Sequence, residues 1–215
     1  MRIALFFLLI GLNVFAQEVD SDLKRVMLRL DSIKSYSAQV ELRTDISFIN
    51  MPTKYARVLY RKNAPLEVRS DDFVLLPKRG MDLSMQTLFA YPFITVDRGT
   101  KVVAGTQTKM LNIIPTDDTA DFSIATLYLD VPRDRLVGAE ISTKKEGTYT
   151  VLMGYASKGD ILPREAEVVF AVERLRIPLN FMGKDTRIDR KALREDGAKE
   201  GRIFLTLSDY DFVRE

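Results

Sequence analysis

The chain has 215 residues and contains no cysteine, histidine or tryptophan. Thiolate metal sites, iron–sulfur clusters, disulfides and any catalytic arrangement built on a thiol or an imidazole are therefore excluded. Its 32 basic and 30 acidic residues leave a formal charge of +2, a balance without the clustered basic field that nucleic-acid capture needs.

The first sixteen residues read as a secretory signal. Arg2 precedes a short apolar run, and Val14-Phe15-Ala16 supplies the small-residue spacing for cleavage after Ala16. The run is shorter than the about 20 apolar residues of a bilayer span, and Asn13 interrupts it. Loss of Arg2 leaves a charge of +1, and no cysteine stands at the cleavage site to take a lipid. The expectation is an exported, soluble single domain over residues 17–215, long enough to bury a core without disulfides or metals.

Asp20 and Ser21 are good helix N-caps. Leu23, Val26, Met27, Leu30 and Ile33 follow at helical spacing, giving an amphipathic helix whose apolar stripe needs a large receiver. The period then changes to two. Tyr36, Ala38, Val40, Leu42, Thr44, Ile46 and Phe48 alternate with polar residues, the pattern of a long half-buried antiparallel strand. Asn50-Met51-Pro52 ends it. Further strands are expected at Tyr55 to Lys62, Leu66 to Ser70 and Phe73 to Leu76, with Asn63-Ala64-Pro65 as a break. Met81 to Pro92 is too apolar for a free loop and reads as a short helix or irregular cover on the sheet.

Strands resume at Phe93 to Asp97, Lys101 to Val103 and Lys109 to Ile114. Pro115-Thr116-Asp117-Asp118 is a turn cluster, without the ligand count and spacing of a calcium loop. Phe122 to Asp130 is a strand. Val137 to Thr143 and Tyr149 to Ala156 form a hairpin turning at Gly147. Leu162 to Val172 and Arg202 to Phe212 complete the strands. Residues 184–202 carry twelve charged side chains in nineteen and read as a solvated loop or short exposed helix, or else as a partner-docking arm. The economical architecture is α+β but mainly β: one antiparallel sheet of about ten strands with one or two helices against it.

The order of these pieces resembles the LolA-like outer-membrane lipoprotein-sorting proteins. The likeness is carried by Ile33-Lys34-Ser35-Tyr36-Ser37-Ala38 at a helix-to-strand junction. It continues in Leu127-Tyr128-Leu129-Asp130, in Thr143-Lys144-Lys145-Glu146-Gly147-Thr148 and in Ile161-Leu162-Pro163, and closes with Leu207-Ser208-Asp209-Tyr210-Asp211-Phe212. It spans roughly Val19 to Phe212. The resemblance implies a curved, incomplete β-barrel with helices covering its concave face and an apolar cavity between the two. It implies lipoprotein acyl chains or lipid as ligand, inner- and outer-membrane transport proteins as further partners, a periplasmic location, a monomer, and no cofactor or nucleic acid. In classical carriers a Gly-containing second strand ends in a basic-Arg-Pro motif whose Arg latches the lid. Here Arg61 is the nearest match and the candidate latch, but Pro does not follow it directly and the Gly is missing. Other proteins of this fold resemble lipid-sensing or regulatory interaction modules, and fold alone does not choose between the two.

A cavity of this kind would be lined by Val40, Leu42, Ile46 and Phe48 from the first strand and by Val58 and Tyr60 from the next. Leu127 and Leu129 would join them, with Val151, Met153 and Tyr155 from the hairpin. Met85, Met110 and Met153 would suit an adaptable lining. Burying a chain of roughly 14–16 carbons gains on the order of 10 kcal/mol gross, at about 0.8 kcal/mol per CH₂. Carboxylates are plentiful, yet no pair stands in an aromatic sugar-binding context, so a glycosidase or other enzyme is not expected.

Overall fold

The computed structural model describes residues 19–71, 86–145, 147–171, 185–189, 191–192 and 200–214. The signal sequence, the expected strand Phe73 to Leu76, Met85 and the hairpin residue Glu146 lie outside the described residues.

Helix α1 spans Ser21–Asp31. Asp20 caps it, its Oδ1 accepting from the backbone N–H of Asp22 (3.0 Å) and Leu23 (3.3 Å), which satisfies two of the orphan donors of the first turn. The stripe read in the sequence buries Leu23 and Val26, while Leu28 on the other side is exposed.

Twelve strands follow in the described residues. They are β1 (Ile33–Asp45), β2 (Ile49–Asn50), β3 (Lys54–Arg61), β4 (Glu67–Arg69), β5 (Phe93–Val103), β6 (Thr106–Pro115), β7 (Phe122–Asp130), β8 (Arg135–Thr143), β9 (Thr148–Gly154), β10 (Glu165–Ala171), β11 (Arg187–Ile188) and β12 (Glu200–Arg214). Ten form one antiparallel sheet in the order β4-β3-β1-β12-β10-β9-β8-β7-β6-β5. The sheet is curved and open, because its edge strands β4 and β5 do not meet. The expected mainly-β architecture, an incomplete barrel of ten strands, is what forms. The last strand inserts beside the first, so the chain ends are stitched through the middle of the sheet.

Three local differences from the sequence reading have physical causes. Phe93 to Val103 is one strand rather than two, because a bulge between Asp97 and Thr100 absorbs the polar interruption. Gly99 takes φ +82° there and donates its N–H to Asp97 Oδ1 at 2.7 Å, a backbone conformation that favours glycine. The first strand stops at Asp45, and Ile46 and Phe48 enter a tight turn bridged by Ile46 and Ile49. The charged segment is not wholly loop: β11 pairs Arg187 with Asn50 and Ile188 with Ile49, so β2 and β11 make a separate two-stranded ribbon. Within Met81 to Pro92 the described part includes a four-residue helix α2 (Gln86–Phe89), whose Leu88 is buried.

The buried side chains divide into two main groups on the sheet. The larger joins Leu23 and Val26 of α1 to Leu111, Ile113, Phe122, Ala125, Leu127, Leu129, Ala139, Ile141, Val151, Met153, Val168 and Phe170 of β6–β10. The smaller is Ala38, Val40, Leu42, Ala56, Val58, Ala166, Leu205 and Leu207 of β1, β3, β10 and β12.

Candidate functional site

The strand registers carry Val40, Leu42, Val58, Val151, Met153 and Leu127 onto one face of the sheet, where they fall into two packed groups. Leu127, Leu129, Val151, Met153, Ile46 and Phe48 belong to the larger group, packed with the helix. Tyr155 flanks it; its hydroxyl donates to the Leu136 carbonyl at 2.6 Å, and the Arg135 guanidinium lies 4.3 Å from the centre of its ring. Burial pushes that phenol up to about 12. The residues of this larger group are buried together with Leu23 and Val26 of α1.

Val40, Leu42 and Val58 lie in the smaller group. The register explains why. In the β1–β3 pairing Ala38 faces Val58, Val40 faces Ala56 and Leu42 faces Lys54. Opposite residues in an antiparallel pair share a face, and the even-numbered residues of both strands present a continuous apolar row. On the other side of β1, Val40 faces Leu207 and Leu42 faces Leu205. Among the described residues this layer is built from strands, with Met51, Leu66 and Val68 at its margin, and no helical residue joins it.

The two ends of the layer differ. At one end Tyr60 stacks on Tyr36, ring centroids 5.0 Å apart, and Tyr210 lies 6.0 Å from Tyr36. Ile33 and Ile161 pack with Tyr60. The Tyr210 hydroxyl donates to the Pro163 carbonyl at 2.6 Å, and burial holds its pKa above the ordinary phenol value. At the other end stands Lys54, only 3% exposed, with Nζ 2.5 Å from both carboxylate oxygens of Asp185. That hydrogen bond holds the Asp185 carboxyl below its usual range. Thr44, one inward step beyond Leu42 on β1, has a buried hydroxyl with no hydrogen-bond partner.

The sequence pattern starts this strand at Tyr55, whereas β3 begins at Lys54. The signal was present: position 54 is in phase with Ala56, Val58 and Tyr60. Arg61 is out of phase with them. It is 63% exposed on the opposite face and 3.4 Å from Glu67. Met110 also differs from expectation. It packs with Val103, Tyr128 and Val137 on the outer face, where the Lys101 ammonium lies 5.3 Å over the Tyr128 ring. Asp117 serves the turn, its Oδ1 accepting from Thr119 N (2.8 Å) and Oγ1 (2.6 Å).

The architecture recurs in solved proteins of low sequence identity. The chain superposes on a domain named for outer membrane lipoprotein sorting from Vibrio parahaemolyticus with a TM-score of 0.50 at 11% identity, over 88% of this chain and 91% of that one. A DUF1329 family protein from Desulfovibrio piger gives 0.51 at 11% identity, over 89% and 92%. A LolA superfamily protein from Nitrosomonas europaea gives 0.48 at 10% identity, over 89% and 93%. No protein-family model and no curated protein sequence matches the chain. At such identities the likeness is one of fold alone.

Proposed function

We propose that the protein is an exported periplasmic carrier, acting as one domain over residues 17–215 after cleavage at Ala16. Its apolar layer holds the acyl chains of lipoproteins on their way to the outer membrane. Val40, Leu42, Val58 and Tyr60 would contact the ligand. The reading is carried by the layer on β1, β3, β10 and β12: a row of small and branched apolar side chains to which no described helix contributes. Ala38, Ala56 and Ala166 are the small members of that row, and small side chains leave more room for a hydrocarbon tail once a cover is displaced. The layer is buried, so a ligand reaches it only by displacing protein atoms. A displaceable cover lets a carrier stay soluble when empty.

Native mass spectrometry of the protein isolated from an envelope fraction tests this. A co-purifying acyl species that is lost on organic extraction is the expected result. A lipid-free protein in a stable complex with another envelope protein would replace the carrier with an interaction module of the same fold.

A further inference from the structure

Among the described residues two charged side chains are buried, Lys54 and Asp130. Asp130 is fully accounted for by neighbours on its own turn, Arg133 at 2.9 Å and Arg135 at 3.0 Å. Lys54 is different. Its ammonium lies at the end of an otherwise apolar layer, and its one described carboxylate partner comes from 131 residues away in sequence. Asp185 is itself 54% exposed. A buried ammonium is costly unless it is paired, and here the pairing oxygen atoms belong to a side chain that water already reaches. The unpartnered Thr44 hydroxyl is on the same inward face.

We infer that Lys54 is the headgroup site for a long-chain fatty carboxylate whose tail lies along the β1–β3 layer toward Tyr36 and Tyr60. The inference rests on the acyl-binding part of the reading above and adds a charged ligand class to it. The layer runs from a cation, through Ala56 and Val58, to an aromatic end at Tyr60. Six residues of strand separate Lys54 from Tyr60, about 20 Å, and that length accommodates an extended tail. A fatty carboxylate brings the same oxygen pair that Asp185 now supplies. It takes over the ammonium while Asp185 moves fully into water, so Lys54 keeps a carboxylate partner throughout. Thr44 has a hydroxyl hydrogen free for one of the carboxylate oxygens. A neutral amphiphile of equal tail length has nothing to exchange for Asp185 and leaves the ion pair in place.

Calorimetric titration of the mature protein with laurate and with monolauroylglycerol, both below their micelle concentrations, separates the headgroup from the tail. Wild-type protein should prefer laurate by about tenfold or more. Lys54→Met should weaken laurate to within about twofold of the neutral ester, whose affinity stays unchanged. Asp185→Asn should tighten laurate by removing its competitor. Equal affinity of the wild type for both amphiphiles overturns the headgroup site while leaving acyl binding intact, as does an equal loss of both in a folded Lys54→Met variant. If neither amphiphile binds, the acyl reading falls and this inference falls with it. Should Lys54→Met not fold, the response of Asp185→Asn decides, and an unchanged laurate affinity overturns the site.

Discussion

The two halves of the sheet carry the same kind of strand but meet different covers. Across β6–β10 the inward side chains receive Leu23 and Val26 of α1. Across β1, β3 and β12 they form a layer to which no described helix contributes. Ten strands at about 4.8 Å spacing make a sheet about 43 Å wide, whereas an eleven-residue helix is about 16 Å long. Helix α1 alone spans less than half of that width. Alternation along a strand says which face is greasy, and tertiary packing decides what covers each part of it.

The largest test of that difference is a carboxylate placed in the helix-covered half. Val151→Glu puts an unpaired charge among Ala139, Val168 and the rest of the packed group. It should cost more than about 4 kcal/mol, enough to remove the cooperative thermal transition followed by circular dichroism. A folded Val151→Glu protein would mean that this half yields as easily as the other. Truncations sharpen the contrast. Leu127 is fully buried in the same group, and Leu127→Ala should lower urea stability by about 3 kcal/mol. Val58→Ala removes two carbons from the layer and should cost about 1.5 kcal/mol while weakening an acyl probe. If Val58→Ala costs as much as Leu127→Ala and leaves the probe untouched, the layer is ordinary core.

The boundary between the halves depends on how α1 is held. Lys109 on β6 reaches Asp20 and Asp22 at 2.7 Å each and Asp97 at 3.5 Å, pinning the helix N-terminus to the sheet. The Lys109 hydrogen bond lowers the Asp22 pKa. Burial alone would lower the Lys109 pKa, but the hydrogen bonds it donates to Asp20 and Asp22 outweigh it and raise the value. The Asp22 contribution is therefore complete above its unfolded pKa of about 3.9 and lost as pH falls through the lower folded value. The Lys109 contribution is complete below about pH 10 and lost as pH rises through the higher folded value. Lys109→Met should cost about 1–2 kcal/mol between those limits. Its denaturation midpoint should converge with that of the wild type at acid pH. A constant gap down to pH 2 would show that the clamp is not ionic.

Most of the strand order was legible because period-two alternation survives in single strands. Phe122–Asp130 has the bounds that its pattern predicts, and Gly147, at φ +87°, turns the expected hairpin. Illegible parts depended on distant pairing. Nothing local to Arg187–Ile188 announces that Ile49–Asn50 will pair with it. Nothing local to Val40 and Phe48 says that one alternating run feeds two different groups. The division arises where β1 ends and the chain turns at Ile46, and from the reach of α1. The buried lysine was within sight of the strand pattern, but its partner Asp185 lies in a segment whose composition reads as solvated. A polar residue at the start of an apolar phase can be a site as readily as a boundary, and composition alone does not distinguish them.

The smallest expected effect separates the two basic residues at the ends of β3. Arg61 and Lys54 are seven positions apart, an odd number, so strand geometry sends them to opposite faces. Arg61 meets Glu67 in solvent at 3.4 Å, a type of exposed pair worth between zero and about 1 kcal/mol. Arg61→Ala should therefore shift stability by less than about 0.5 kcal/mol and leave acyl binding within error, whereas Lys54→Met acts on the ligand. If Arg61→Ala loosens an acyl probe as strongly as Lys54→Met, the outer end of β3 takes part in closing the layer, and parity is no longer a guide to which cation matters.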